Sequence, residues 1–172
     1  MGKMARNRRP FAESEGGSAS VEFALIAAPF LALLLAIFET ALLFLTQQAL
    51  QTGTAQAARL IMTGQAQTQN MTVAQFKQLV CNDSTALINC ASLFVNVQKF
   101  ATFSSISTLN PVQNGAFNPA LLNYNFGGAG DIELVQVFYE WPIYVGPLGF
   151  NLSSMNGNIH LLVATAAFRN EP

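Results

Sequence analysis

The chain has 172 residues, 51% of them hydrophobic and only 10% charged, with a net charge of -1. Soluble domains usually carry ~25% charged residues, so this composition sets the chain apart from them, and its length fits one domain plus an anchor. The charge balance gives neither a basic footprint for nucleic acid nor an acidic tail.

Residues 1–17 read as a polar leader without apolar periodicity, and Pro10 argues against a helix through its middle. Lys3, Arg6, Arg8 and Arg9 place four of the 8 cationic side chains ahead of the apolar run. The positive-inside bias therefore predicts a cytoplasmic N-terminus and sends everything after Leu45 across the membrane. Between Phe23 and Leu45 stand 14 Leu, Ile and Phe residues. Each favours insertion by ~0.3–0.6 kcal/mol, against about 2.5–3.5 kcal/mol for the one internal carboxylate, Glu39. At ~1.5 Å per residue this run reaches about 35 Å, enough for a ~30 Å hydrocarbon core with some tilt. A secretory signal has an apolar core of about 7–15 residues, so the run is too long for one.

Inside the span, Pro29 cannot donate to the backbone ladder and predicts a structural kink. Glu39 is an ionisable group within the apolar run, and such groups usually find partners. It is expected either to reach the outer interface or to hydrogen-bond a partner helix, and the reading leans to the second. The helix is predicted to continue from Thr46 to Met62, with Gly53 a weak point costing ~1 kcal/mol and Gly64 a C-cap. Arg59 reads as a solvated or dipole-complementing cation. Thr72 and Gln75 form a capping box opening a second helix, whose apolar stripe is Val73, Phe76, Leu79 and Val80.

Cys81 and Cys90 are the only cysteines, too few for a zinc site by themselves. Beyond the membrane a disulfide between them is favoured over free thiols, with two unpaired buried cysteines as the alternative. On one helix they would stand about 13 Å apart, whereas a disulfide needs Cα atoms within about 7 Å, so the helix must break between them. Asn82, Asp83 and Ser84 supply the break, with Asp83 or Ser84 capping a short third helix through Leu87, Ile88 and Leu93.

Leu93 to Phe103 alternates as a half-buried strand. Residues 104–130 are loop-rich yet carry Phe117, Leu121, Leu122, Tyr124 and Phe126, which predicts a packed or partner-binding loop. Asp131 to Tyr144 is the best strand, with Pro142 limiting it to an edge or an end. Ile159 to Phe168 is the third, completing an antiparallel meander laid across the exposed half of the long helix. The sole histidine, His160, falls in a predicted strand and reads as structural. Glu133 and Glu140, an odd spacing apart, read as solvated positions on opposite strand faces rather than an acid/base pair. Phe138, Tyr139, Trp141 and Tyr144 read as core or membrane-interface aromatics, with a contact surface as the sharper alternative. No P-loop or H-E-x-x-H occurs; no catalytic residue, cofactor site or metal site is assigned, and the chain is read as a non-enzyme. A periplasmic anchored hydrolase would need an acid, base and nucleophile that the sequence does not offer.

Just ahead of the apolar run, Gly16 and Gly17 are followed by Ser18, Ala19, Ser20, Val21, Glu22 and Phe23. This resembles the cleavage site of type IV prepilins, in which a peptidase cuts after a Gly and the fifth mature residue is Glu. The variant S-V-E-F-A-L, the following P-F-L-A-L-L-L, the later A-A-R-L-I-M-T-G-Q at 57–65 and the two cysteines resemble TadE-like proteins, the minor pseudopilins of tight-adherence (Flp) pilus systems. The resemblance implies cleavage after Gly17, with Ser18 as the new N-terminus and Glu22 and Phe23 as recognition positions. Two glycines resist helix formation and would leave the chain open to a protease, and the freed amine could pair with Glu22, its own or a neighbour's.

Together these readings give an α+β, pilin-like fold: a long N-terminal transmembrane helix continuing into a periplasmic domain with short helices and a small antiparallel sheet. The divisions are a leader at 1–17, the transmembrane helix at 18–46 and the domain at 47–172. The expected partners are the lipid bilayer, a prepilin peptidase, other pilin-like subunits and pilus assembly platform proteins, with no nucleic acid. The expected location is the bacterial inner membrane, single-pass. The alternative is an uncleaved, membrane-anchored envelope protein whose domain binds another partner.

Overall fold

The structure is a computed structural model that describes residues 18–82, 87–146 and 150–172. The predicted leader with Gly16 and Gly17, and the caps expected at Asp83 and Ser84, lie outside the described residues. The fold is α+β: a long apolar N-terminal helix followed by a small antiparallel sheet domain.

Helix α1 spans Ser18–Met62, 45 residues, or about 68 Å at the helical rise. It stays helical through Pro29 and runs unbroken across the 46/47 boundary. From Ala19 to Leu35 no described position is buried. Cover begins at Ala36 and follows one stripe through Glu39, Thr46, Leu50, Gly53, Thr54, Ala57, Ala58 and Ile61, the spacing of a single helical face. Of the most apolar stretch only 6% is buried within the chain. The core helix of a soluble domain would be covered; this one suits membrane anchoring.

Gly64 ends the helix as expected: its φ is 74° and its N–H reaches Ile61 O at 3.0 Å. A single-turn helix α2 follows at Gln65–Thr68. Helix α3, Val73–Asn82, opens on the predicted capping box. Thr72 N–H donates to Gln75 Oε1 at 2.8 Å, and Gln75 N–H returns to Thr72 Oγ1 at 3.3 Å. Phe76, Val80 and Cys81 are its buried face, while Val73 and Leu79 pack at the rim.

Cys81 and Cys90 form a disulfide with Cα atoms 6.0 Å apart. The third helix expected through Leu87, Ile88 and Leu93 does not form among the described residues. Residues 87–89 are non-helical, Cys90–Ser92 is one 3₁₀ turn capped by the Asn89 side chain on Ala91 N–H, and Leu93 already belongs to a strand. The bridge brings the chain back within one side-chain length of α3, and β-branched residues then take over the pattern.

The sheet contains β1 (Leu93–Phe100), β4 (Ile132–Pro142) and β5 (Ile159–Arg169), in that order and antiparallel throughout. Between β1 and β4 lies a small hairpin of β2 (Val112–Gln113) and β3 (Ala116–Phe117). Its turn is Asn114-Gly115, both at positive φ, a strong hairpin signal that the sequence reading passed over. The central strand β4 is buried from Ile132 to Tyr139, and Pro142 stands at its end, where no ladder bond is lost.

One sheet face, with Leu93, Val95, Val97, Val135, Val137 and Tyr139, packs on α1 and α3 and forms the core. The loop at 104–130 is packed, covering the other face. Phe117 lies tilted against Phe94 at 4.4 Å and meets Phe138 edge-to-face at 5.8 Å, and the Gln136 side chain bonds both N–H and C=O of Leu109. Residues 123–125 then close the free edge of β1 through Val97, which protects it from pairing with another chain.

Candidate functional site: the anchor and its clasp to the domain

At the N-terminal end of α1, Glu22 and Phe23 are exposed, Phe23 at 73%. Glu22 is the fifth described residue of α1. Ser18 shares this end of the helix; Gly17 lies outside the described residues. About 26 Å beyond Glu22 along the axis is Glu39, the one acid inside the apolar run.

Glu39 does not wait for a second helix. It is 6% exposed, and both carboxylate oxygens are taken by its own chain. Tyr144 N–H donates to Oε1 at 2.5 Å and Val145 N–H donates to Oε2 at 2.9 Å. Within the chain the partner is backbone: the loop leaving β4 descends alongside α1 and presents two successive N–H groups that fit one carboxylate. Hydrogen bonds to an ionised acceptor are about twice as strong as neutral ones, and this pair fastens the domain to the helix below its own main core. Higher up, Gln47 Nε2 donates to Val163 O at 2.9 Å and Glu171 N–H to Met62 O at 2.8 Å. Strand β5 thus lies along α1 from its middle to its end.

The aromatics divide by height on this arrangement. Phe138 and Tyr139 are core, and the Tyr139 hydroxyl accepts from Asn89 N–H at 3.0 Å. Trp141 packs at the core's edge. Tyr144, beside the Glu39 clasp, is 74% exposed. His160 is structural in this arrangement, its Nδ1 lying 2.5 Å from Leu152 O.

Glu133 is a correction. It is fully buried rather than solvated, because β4 is the central strand and this residue points to the helix side. Gly127 N–H donates to its Oε1 at 2.6 Å and Asn170 Nδ2 at 2.7 Å. Glu140, on the opposite face, is half-buried. Burial pushes the Glu133 carboxyl above the usual range; the Asn170 and Gly127 bonds oppose this, nearby Asp131 adds to it and Lys99 lowers it. Glu133 Oε2 and Asn170 Oδ1 are buried without a partner among the described residues. A neutral carboxyl would bring a proton to this acceptor-rich spot.

The sign of the resulting pH dependence follows from linkage. A folded pKa above the unfolded value of ~4.3 means stability that is present at low pH and lost as pH rises through the folded pKa. Glu133→Gln is therefore expected to remove a stability loss that the parent protein shows above the ordinary glutamate range. Thermal midpoints of the full chain in detergent, measured for both proteins across pH, should diverge in favour of the variant as pH rises. Parallel curves would show that Glu133 does not carry this linkage.

Among the described residues no group of three or more His, Cys, Asp or Glu side chains is placed to hold a metal ion. The arrangement offers a long open apolar helix, an acid near its N-terminal end, an acid clasp midway along it and a disulfide-closed domain.

Comparison with known proteins adds one finding. Residues 17–59 match the family model described as TadE-like protein, in agreement with the resemblance carried by S-V-E-F-A-L and the apolar run. The match covers the exposed anchor and, apart from Ile61, the whole helix stripe on which the domain sits. No curated protein and no solved structure matches the chain.

Proposed function

We propose, from the premise that residues 17–59 are TadE-like, that the chain is a non-catalytic minor pseudopilin-like membrane protein assisting assembly of a tight-adherence (Flp type IVb) pilus. The observation that carries this is the coincidence of two stretches. The segment matching the family contains the part of α1 that the rest of the chain leaves uncovered, with Val21, Phe23, Leu25, Ile26, Phe30 and Leu31 all exposed.

In this reading a prepilin peptidase cuts between Gly17 and Ser18, with Glu22 and Phe23 as part of its recognition sequence. The new α-amino group, of ordinary pKa ~7.7–8.0, is cationic enough at neutral pH to pair with Glu22 of its own or a neighbouring subunit. The open helix packs against other pilin-like subunits and platform proteins within the bacterial inner membrane. The N-terminus is cytoplasmic, and the domain at 47–172 selects partners in the periplasm. The disulfide supports that side of the membrane, since such bonds persist in oxidising compartments.

Loss of the protein from a cell that builds tight-adherence pili should sharply reduce surface pili, counted by electron microscopy, and re-expression should restore them. Unchanged piliation would overturn the role. A second reading, an uncleaved anchored envelope protein, is favoured by one observation. The Glu39 clasp satisfies the intramembrane acid without another subunit.

A further inference from the structure

The described parts of the connection between β4 and β5, residues 143–146 and 150–158, are fastened beside the apolar helix rather than above it. Its first end is held by the Glu39 carboxylate through Tyr144 and Val145. Its far side is tied to the base of β5, where Asn158 O accepts from Ile143 N–H at 2.7 Å and Leu152 O contacts His160. Three of its apolar side chains face outward: Tyr144 at 74%, Phe150 at 40% and Leu152 at 37% exposure. Across 143–158 the sequence contains no Asp, Glu, Lys or Arg.

The level of this loop follows from α1. Leu42, Phe44 and Leu45 are exposed apolar residues on the uncovered faces of the helix, and Leu45 lies about 9 Å past Glu39 toward the domain. The helix therefore presents an apolar surface well above the point where the loop is fastened. Counted from Phe23, Glu39 is about 24 Å into a hydrocarbon core of ~30 Å. Non-helical backbone at that depth is tolerated only if its N–H groups are satisfied internally. The Glu39 carboxylate does this for the two N–H groups at the loop's entry, which accounts for an acid in an otherwise apolar run.

We propose that this loop is a lipid-docking surface: Tyr144, Phe150 and Leu152 enter the outer leaflet of the bilayer, at the acyl-headgroup boundary, and Glu39 holds the loop at that depth. The partner is the same bilayer that α1 spans, reached by continuity of apolar surface from helix to loop. Tyr144 supplies an amphipathic ring of the kind enriched at that boundary. The domain then rests on the membrane at two places, and its orientation is fixed relative to the bilayer plane. This inference rests on the membrane-anchor reading.

The test uses the full chain in lipid nanodiscs containing bromine-labelled acyl chains, in a Trp141→Phe background with one new tryptophan at a time. Phe30→Trp reports the anchor, Tyr144→Trp and Leu152→Trp report the loop, and Phe103→Trp, in the exposed turn after β1, reports the far end of the domain. The expected result is deep quenching at 30, quenching by bromines near the headgroup at 144 and 152 several-fold stronger than at 103, and almost none at 103. Quenching at 30 with 144 and 152 as silent as 103 would overturn the docking surface while leaving the anchor in place. Silence at 30 would overturn both.

Discussion

Replacing Glu39 by Leu is expected to loosen the domain from the helix, at a cost of about 3–6 kcal/mol. Two hydrogen bonds to an ionised acceptor disappear, each worth ~1.5–3 kcal/mol, and the N–H groups of Tyr144 and Val145 lose their buried acceptors. Total stabilities of ~5–15 kcal/mol leave little margin for such a loss. The leucine gains transfer free energy in the bilayer, yet it cannot accept from the loop. Hydrogen exchange on purified, dilute protein should show the Tyr144 and Val145 amides exchanging faster, while α3 and β1 amides keep their protection until global unfolding. Glu39→Gln retains one good acceptor oxygen and should lose about half as much. Unchanged exchange at 144 and 145 in Glu39→Leu would show that the clasp does not operate. An effect that appears only when other subunits are present would restore the partner-helix reading.

The second large effect is at Gly53, where α1 meets the backbone of α3. A Cβ placed there would stand 2.7 Å from the carbonyl oxygen of Val80 and 3.4 Å from its Cα. Helix propensity alone predicts that Gly53→Ala gains ~1 kcal/mol. The contact predicts the opposite, because the obstruction is backbone. Helix α3 is also held at both ends, by the Thr72–Gln75 box and by the Cys81–Cys90 bridge. Overpacking usually costs ~1–3 kcal/mol, so Gly53→Ala should be neutral to destabilising, and Gly53→Val should lose about 3 kcal/mol. Chemical denaturation of the full chain in detergent measures both. A stabilised Gly53→Ala would show that the helices part freely.

Much of the architecture was legible because it is encoded locally. The apolar run, the Gly64 stop, the Thr72–Gln75 box and the three strands each carry their signal within about a dozen residues, and each appears in the structure near its expected place. The contacts that are not legible in the sequence depend on residues far apart in the chain. Glu39 and Tyr144 are separated by 105 positions, and no pattern around either announces the other. Glu133 was read as solvated because an acid in a strand usually is. Its burial depends on β4 becoming the central strand and on Asn170, 37 residues later, arriving beside it. Gly53 looked like a weak point in a helix, since its use is visible only once Val80 is placed against it. The Asn114-Gly115 turn is a different matter, a local signal present in plain view between short apolar pairs.

The pilin-type processing of the chain is tested most directly at its N-terminus. Intact-mass measurement on protein extracted from membranes of cells that possess a prepilin peptidase should give a chain beginning at Ser18, and Gly17→Leu should retain the leader. A mass that still includes residues 1–17 in the unaltered protein from such cells would contradict the account and leave an ordinary tethered domain.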